Sequence, residues 1–331
     1  MALGQPLKYA FILSELMAYP LSVVCGVLGV TQSGFHAWRG RAPCQRAQER
    51  DSLSGIIRKV FDAHRGRYGA PRVYRVMCER DGYTGSLHRI QTLMRAMKLR
   101  AKAGRKYKAT TDSGHSLPVA ANLLGQDFSC DTGAESSSHA KAPDQVWLSD
   151  ITYLWTREGW LYVCAVLDLF TRRIVGWAIA GHMTRQLVLD ALQMAYRVRK
   201  PGGGLIFHSD RGSQYASAQV RRWLAERGMR PSMSGTGNCF DNAPMESFWH
   251  SLKVEETHGQ DFATRAQARH CVFAYIEGWY NTTRMHSSLG YKSPAQFERI
   301  CDTKSINAAN DIPINALIND SHSARLIKRV A

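Results

Sequence analysis

No run of about 18 uninterrupted apolar residues occurs in this chain, so no segment has the length of a membrane-spanning helix. The opening residues, MALGQPLKYAFILSELMAYP, lack a signal-peptide layout, because Lys8, Glu15 and Pro20 break the apolar stretch. Cysteine spacing of the metal-binding or redox kind is missing too. The eight cysteines, at 25, 44, 78, 130, 164, 239, 271 and 301, form no CxxC and have no matching histidine pair. Most fall in apolar runs, as Cys164 does in LYVCAVLDLF, which suits reduced core thiols in a cytosolic protein and argues against a structural zinc site. Acidic residues are scarce in the first third. Residues 1–110 hold 20 Lys and Arg against 6 Asp and Glu, so they carry +14 while the whole chain carries +16. Charge concentrated in this way points to a polyanionic partner, most simply nucleic acid.

A length of 331 residues predicts two or three domains with at least one well-buried core. Residues 8–45 read as a first helical module. In LSVVCGVLGVTQSGFHAW, Val24, Leu28, Val30 and Phe35 recur at core spacing, Gly29 makes a turn, and Thr31 or Ser33 can cap the next helix. This has the form of a helix-turn-helix whose second helix presents Thr31, Gln32, His36 and Arg39 to a major groove. Residues 51–108 form a second basic module. Ile56, Ile57, Val60 and Phe61 share an apolar face, and two further helices flank an Asp81-Gly82 turn with Ser86 as N-cap. Arg89, Arg95, Lys98 and Arg100 give the last of these a basic side over a packed face of Ile90, Leu93, Met94 and Met97. Residues 109–143, rich in Ser, Gly, Ala and Thr, are expected to be a linker.

From residue 144 the pattern changes to strands. QVWLSDITYLW alternates, and Asp150 interrupts an otherwise mostly apolar face, where an ionised carboxylate is costly unless something binds it. GWLYVCAVLD is apolar on both faces, as a central strand is, and RRIVGWAI gives a third strand. A helix near 184–199 leads to LIFHSD, where Asp210 ends a short buried strand, the position at which open α/β sheets place ligand-binding groups. In SMSGTGNCFDNAPMESFWHSLKVEE, Asn242 can cap a helix that has Pro244 in its first turn. Met245, Trp249 and Leu252 should pack inward on it, with Glu246, His250 and Lys253 on the adjacent polar stripe. Asp168 and Asp241 read as turn acids or caps, and His208 equally as a packing histidine or a DNA contact. Trp147, Trp155, Trp160 and Trp177 read as core aromatics.

Asp150, Asp210 and Glu246 therefore stand out, the last two with 35 residues between them. Carboxylates about 4 Å apart repel by roughly 4 kcal/mol at an effective dielectric near 20, unless a hard divalent cation neutralises them. Two such ions about 3.5–4 Å apart are what phosphodiester chemistry uses to activate a hydroxyl and stabilise the leaving oxygen.

WLSDITY, HSDRGSQY and NAPMESFWHSLK resemble the three catalytic motifs of DDE insertion-sequence transposases with a retroviral-integrase-like core. YNTTRMHSSLGYKSP, with Asn281, Arg284, His286, Leu289, Gly290 and Pro294, is similar to that family's C-terminal signature, and the likeness runs from about residue 10 to 298. It implies a multidomain protein: all-α helix-turn-helix N-terminal modules, then an α/β RNase H-like catalytic core over 144–300; residues 301–331 show no feature of the family and are expected to be a mobile tail. It implies Asp150, Asp210 and Glu246 as catalytic metal ligands for Mg²⁺, with Mn²⁺ as substitute and two ions per site. The DNA contacts are expected from Lys253, His250, Gln32, Arg39, Arg89 and Arg95. The expected partners are the terminal inverted repeats and target duplex, engaged by a homo-oligomer in the bacterial cytoplasm at the nucleoid, with no membrane involved. Two other readings stay open: a hydrolytic nuclease of RNase H-like fold, and a transposase-derived DNA-binding regulator with an inactive core.

Overall fold

The computed structural model describes residues 4–42, 44–102, 117–130, 139–235 and 239–310. The chain divides into two compact units, Met1–Arg100 and Ala101–Ala331.

The first unit is all helix. Its first three helices are α1 (Gln5–Glu15), α2 (Leu21–Leu28) and α3 (Gln32–Gly40). They close on Tyr9, Ile12, Val24, Cys25 and Phe35. Gly29 ends α2 in the left-handed region (φ 61°), which glycine enters without strain. Thr31 then caps α3, its hydroxyl accepting from the Gly34 amide at 3.1 Å. Gly34 itself permits close packing, since a Cβ there would run into the Tyr9 hydroxyl.

Helices α4 (Gln45–Ala63), α5 (Ala70–Asp81) and α6 (Leu87–Ala96) follow. Ile57, Val60, Tyr68, Val73, Met77, Ile90, Leu93 and Met94 are buried here. Gly82 (φ 63°) turns the chain after α5, and Ser86 caps α6 by accepting from the Arg89 amide at 3.3 Å. Ile56, expected on the apolar face of α4, is instead exposed. It lies next to Ile57 on the helix, and one turn cannot direct both inward.

The second unit is built on a five-stranded sheet of order β3-β2-β1-β4-β5. The strands are β1 (Val146–Thr156), β2 (Gly159–Asp168), β3 (Ile174–Ala180), β4 (Ile206–Ser209) and β5 (Arg230–Met233). β1, β2 and β3 pair antiparallel, and β4 and β5 add in parallel on the other side of β1. Helix α7 (Arg185–Arg199) crosses between β3 and β4; α8 (Ser213–Ala216) and α9 (Ala218–Ala225) cross between β4 and β5. α7 approaches so closely that a Cβ on Gly176 of β3 would meet the Ala191 carbonyl. These helices and the sheet bury Trp147, Val166, Leu192, Phe207, Val220 and Met233 together. α10 (Ala243–Leu252), α11 (Arg265–Tyr275) and α12 (Pro294–Asn310) complete the unit. This mixed sheet with three antiparallel strands followed by two parallel crossovers is the RNase H-like arrangement.

Two boundaries differ from expectation. Much of the expected linker, residues 103–116 and 131–138, lies outside the described residues, but the segment 117–130 is docked on the catalytic unit. Leu124 is buried, the Leu123 amide donates to Ser232 Oγ at 2.9 Å, and Cys130 Sγ donates to the Leu169 carbonyl at 3.1 Å. A segment without periodicity can still be held in this way, by side chains of the core that satisfy its backbone one group at a time. The helix α12 also runs past residue 300 to Asn310, so the start of the expected tail is helical; residues 311–331 lie outside the described residues. Of the seven cysteines described, all are free thiols, with Cys25 and Cys164 buried and Cys44 exposed. Among the described residues, no helix is long and apolar enough to cross a membrane.

Candidate active site

Parallel pairing sets the first two acids side by side. β1 and β4 are in register at Ser149 and Ser209, so Asp150 is the next residue of β1 and Asp210 the first residue past the end of β4. Asp150 Oδ1 accepts from the Ile151 amide at 2.8 Å, and Oδ2 accepts from Trp249 Nε1 at 3.1 Å. Asp210 Oδ1 accepts from the Gly212 amide at 2.9 Å. Loss of hydration, then the neighbouring Asp210 charge and more weakly Glu246, push the Asp150 carboxyl up to about 8 against the two donors that favour its ionised form. A carboxyl so placed is a site waiting for positive charge.

Glu246 is brought to the same end of the sheet by α10, in whose first turn it lies. The residue is exposed overall, and partial loss of hydration at the carboxyl pushes its pKa up. Two hydrogen bonds dock this helix on β1, one on each side of Glu246. Asn242 Nδ2 donates to the Ser149 carbonyl at 3.1 Å, and Trp249 donates to Asp150. The three acids are not, however, a finished cage: among the described residues, no group of three His, Cys, Asp or Glu side chains is gathered closely enough to hold a metal ion. Asp150 and Asp210 lie side by side, and Glu246 stands on the adjacent helix, exposed but near enough for its charge to act on the Asp150 carboxyl.

Met245, Trp249 and Leu252 face inward as expected. Lys253 is half-buried, with its Nζ 5.7 Å from the centre of the Tyr153 ring. Desolvation lowers its basicity, while Tyr153 and Asp150 pull it back up. His250 is exposed. Gln32 and Arg39 on α3, and Arg89 and Arg95 on α6, are exposed as a groove-reading surface requires.

Several residues prove to be architectural. His208 is fully buried, with Nδ1 and Nε2 each 2.9 Å from partners, Ser232 Oγ and the Asp241 carbonyl, and burial lowers its basicity to about 4. It is a packing histidine. Asp241 accepts from Gln126 at 2.7 Å and from Asn122 at 3.1 Å, locking the 117–130 segment to the loop before α10. Asp168 closes the β2–β3 turn by accepting from the Thr171 amide at 2.7 Å and hydroxyl at 2.8 Å; burial raises its carboxyl to about 6. Asn242 occupies the N-cap position of α10 but makes no capping bond. Its amide is spent on β1 instead, and among the described residues its buried Oδ1 has no hydrogen-bond partner. Trp155 and Trp160 are not core aromatics: they are 59% and 43% exposed.

The C-terminal signature is a clamp. Asn281 brackets Ile174 of β3, accepting from its amide and donating to its carbonyl at 2.9 Å each. Buried Arg284 pairs with buried Glu255 at 2.9 Å and donates to Ser251 at 2.8 Å. Glu255 also accepts from Tyr275 and Trp279 at 3.0 Å each, tying the π-helical turn Lys253–Thr257 to its counterpart Ile276–Tyr280. Sequence reasoning missed the tethers from Trp249, Asn242 and Glu255. A signal for the first was present, since an indole N–H three residues after Glu246 falls on the same side of the helix.

Sheet order, paired acids and an N-terminal helical unit together define a DDE transposase with an integrase-type core. The chain matches the Integrase core domain family over residues 140–239 and 246–300, and the HTH-like domain family over 48–107, the second basic module. It belongs to the transposases of the IS3 insertion-sequence family. It is 42% identical over 294 residues to Transposase InsF for insertion sequence IS3A of Escherichia coli (strain K12), an alignment covering 88% of this chain and 98% of that protein. It is also 42% identical over 274 residues to the Insertion element IS600 uncharacterized 31 kDa protein of Shigella sonnei, covering 83% of this chain and 97% of the relative. Among solved structures it is similar to a simian T-cell lymphotropic virus intasome in complex with PP2A regulatory subunit B56 gamma. That likeness has a TM-score of 0.40 at 13% identity, over 65% of this chain and 67% of the other. It is also similar to the HTLV-2 integrase catalytic core domain in complex with magnesium, with a TM-score of 0.36 at 12% identity over 47% and 96%. The fold is defined by its own strand order, β3-β2-β1-β4-β5. Family membership favours neither the hydrolytic nuclease nor the inactive regulator.

Proposed function

We propose that this transposase binds the terminal repeats of its element through the two helical modules of the first unit and cuts and rejoins DNA at Asp150, Asp210 and Glu246. The observation that carries the reading is the Asp150 carboxyl, within β1 and held up to about 8 beside Asp210, which follows the end of the adjacent parallel strand β4. All-oxygen donors and excess negative charge suit hard divalent ions, Mg²⁺ or Mn²⁺, of which two serve this chemistry. When bound, the ions neutralise the phosphoryl oxygens and acidify the attacking hydroxyl.

The chain's own residues do the rest. Asp150 and Asp210 hold one face of the reaction centre, and Trp249 and the Ile151 amide fix the Asp150 oxygens in place. Glu246 turns in from α10 to complete the set. Lys253 offers its ammonium to a non-bridging phosphate oxygen. Water attacks phosphorus in line and releases a 3′-hydroxyl; that hydroxyl then attacks a target phosphodiester and displaces a new 3′-oxygen, so no covalent protein intermediate forms. Gln32, Arg39, Arg89 and Arg95 contact the repeats, with His250 beside the cleaved strand. Two element ends call for a homo-oligomer on the DNA, located at the nucleoid.

The test is an oligonucleotide cleavage and joining assay. Asp150→Ala, Asp210→Ala and Glu246→Ala should each abolish both products while leaving end binding within about threefold, because the helical unit is untouched. A triad variant that still cleaves overturns the assignment.

A further inference from the structure

The β1–β2 hairpin runs on past the rest of the sheet, its tip tied to the 261–265 segment by the Arg157 amide, which donates to the Phe262 carbonyl at 2.9 Å, and by the Arg265 amide, which donates to Glu158 at 2.7 Å. β4 pairs with β1 only as far as Ser149, and β3 pairs with β2 only from Tyr162 onward, so Trp155 and Trp160 belong to a two-stranded extension. This extension carries one continuous row of aromatic rings. Tyr153 faces Tyr162 and Trp155 faces Trp160 across the pair. Ring centres are 6.4 Å apart for Tyr153 and Tyr162, 4.9 Å for Tyr153 and Trp160, and 4.8 Å for Trp155 and Trp160. The inner end of the row lies against the active site, where Lys253 sits 5.7 Å over the Tyr153 ring and is drawn to Asp150.

A cross-strand edge contact accounts for the Trp155–Trp160 pair as hairpin stabilisation, worth at most about 1 kcal/mol. It does not account for leaving 59% and 43% of two indoles in water. Exposed rings beside a cationic side chain are the composition of single-strand platforms, where bases stack on aromatics and the backbone runs along positive charge. Trp155 is five positions beyond Asp150 on β1, about 17 Å at 3.3–3.4 Å per residue and on the other face of the strand, with Lys253 bridging from Tyr153 toward Asp150.

We propose that Trp155 and Trp160, with Tyr153 and Lys253 inward of them, form a stacking platform for unpaired bases at the end of the DNA strand held in the active site. Bases that unpair beside the reacting phosphate lose their neighbours in the duplex, and stacking on these rings offsets that loss. The occupant is thus a frayed or single-stranded DNA terminus rather than intact duplex. The inference rests on the site being where DNA is cut.

The test uses full-length protein in EDTA and two probes: a blunt duplex, and the same duplex with three unpaired nucleotides at one terminus. Wild type should bind the unpaired probe more tightly, with tryptophan emission quenched on binding. Trp155→Ala/Trp160→Ala should reduce that preference roughly tenfold while changing affinity for the blunt probe less than twofold. Trp155→Phe/Trp160→Phe, which keeps a ring for stacking, should retain most of the preference but lose most of the quench. Absence of a preference in wild type, an equal loss on both probes, or an altered oligomeric state with the preference intact would each overturn the proposal, the last by making the row a contact between copies. Because no metal and no cleavage enter the measurement, its failure is separate from failure of the triad variants.

Discussion

Asp150 is the active-site residue whose chemistry its surroundings reshape. Burial and the Asp210 charge raise its carboxyl to about 8, so the metal-free folded protein holds a proton there that the unfolded chain releases near the ordinary carboxylate range. The sign follows directly. Stability from this group is fully present at low pH and is lost as pH rises toward about 8. Asp168, raised to about 6, acts in the same direction but is spent by neutrality. Thermal melts in EDTA should therefore show the midpoint still falling between about pH 7 and pH 8.5, with Asp150→Asn removing that part of the fall and millimolar Mg²⁺ reversing it. A wild-type midpoint flat across this interval would contradict the coupling between the two acids. The acids themselves were legible in the sequence because a charge inside an apolar strand, or at the end of one, has few structural uses. Trp155 and Trp160 were not, because strand alternation tells which face a side chain shares but not whether anything covers that face.

At the scale of elements, α10 decides whether the third acid meets the other two. Its place on β1 is fixed by the Asn242 and Trp249 hydrogen bonds, four residues before and three after Glu246, to consecutive residues Ser149 and Asp150. Ser149 is also tied to α8 by a 2.9 Å bond between its hydroxyl and that of Tyr215, so one strand residue is joined to the segments carrying all three motifs. Trp249→Phe keeps the buried ring and deletes only the donor. Loss of an outer-shell partner of this kind costs about 10–100-fold in metal affinity or activity. The variant should accordingly need roughly tenfold more Mn²⁺ for half-maximal cleavage and bind Mn²⁺ correspondingly less tightly in a titration without DNA, with its melting temperature little changed. Unchanged Mn²⁺ binding would reduce Trp249 to packing. Helix α10 and its inward stripe were readable from the spacing of Met245, Trp249 and Leu252. Beyond the nearness of Trp249 to Glu246 on the helix, the tethers' partners were not, since a hydrogen bond between residues 93 or 99 positions apart leaves no local periodicity. The same holds for the docked 117–130 segment, whose partners Ser232, Asp241 and Leu169 lie far along the chain.

For the molecule as a whole, charge and chemistry are divided between the two ends of the sequence. Residues 1–110 carry +14, whereas the acids of the active site lie between 150 and 246. End binding and catalysis should then respond to different perturbations. A protein that neutralises six to ten phosphates loses about 10³–10⁵ in affinity between 50 and 200 mM salt, with the logarithm of the constant linear in that of salt. Binding of full-length protein to its element ends, measured in Ca²⁺ or EDTA, should follow such a line. Arg89→Gln and Arg95→Gln should each flatten the slope by about one where the arginine meets a phosphate. They would weaken binding to all sequences alike, whereas Gln32→Ala on the helix-turn-helix should chiefly relax discrimination between the repeat and unrelated duplex. Asp150→Asn should leave the slope unchanged, since that carboxyl is largely protonated at neutral pH in the absence of metal. If instead the Asp150 variant alone changed the slope while the arginine variants did not, the ends would be held by the catalytic unit, and the division of labour inferred from the charge distribution would be wrong.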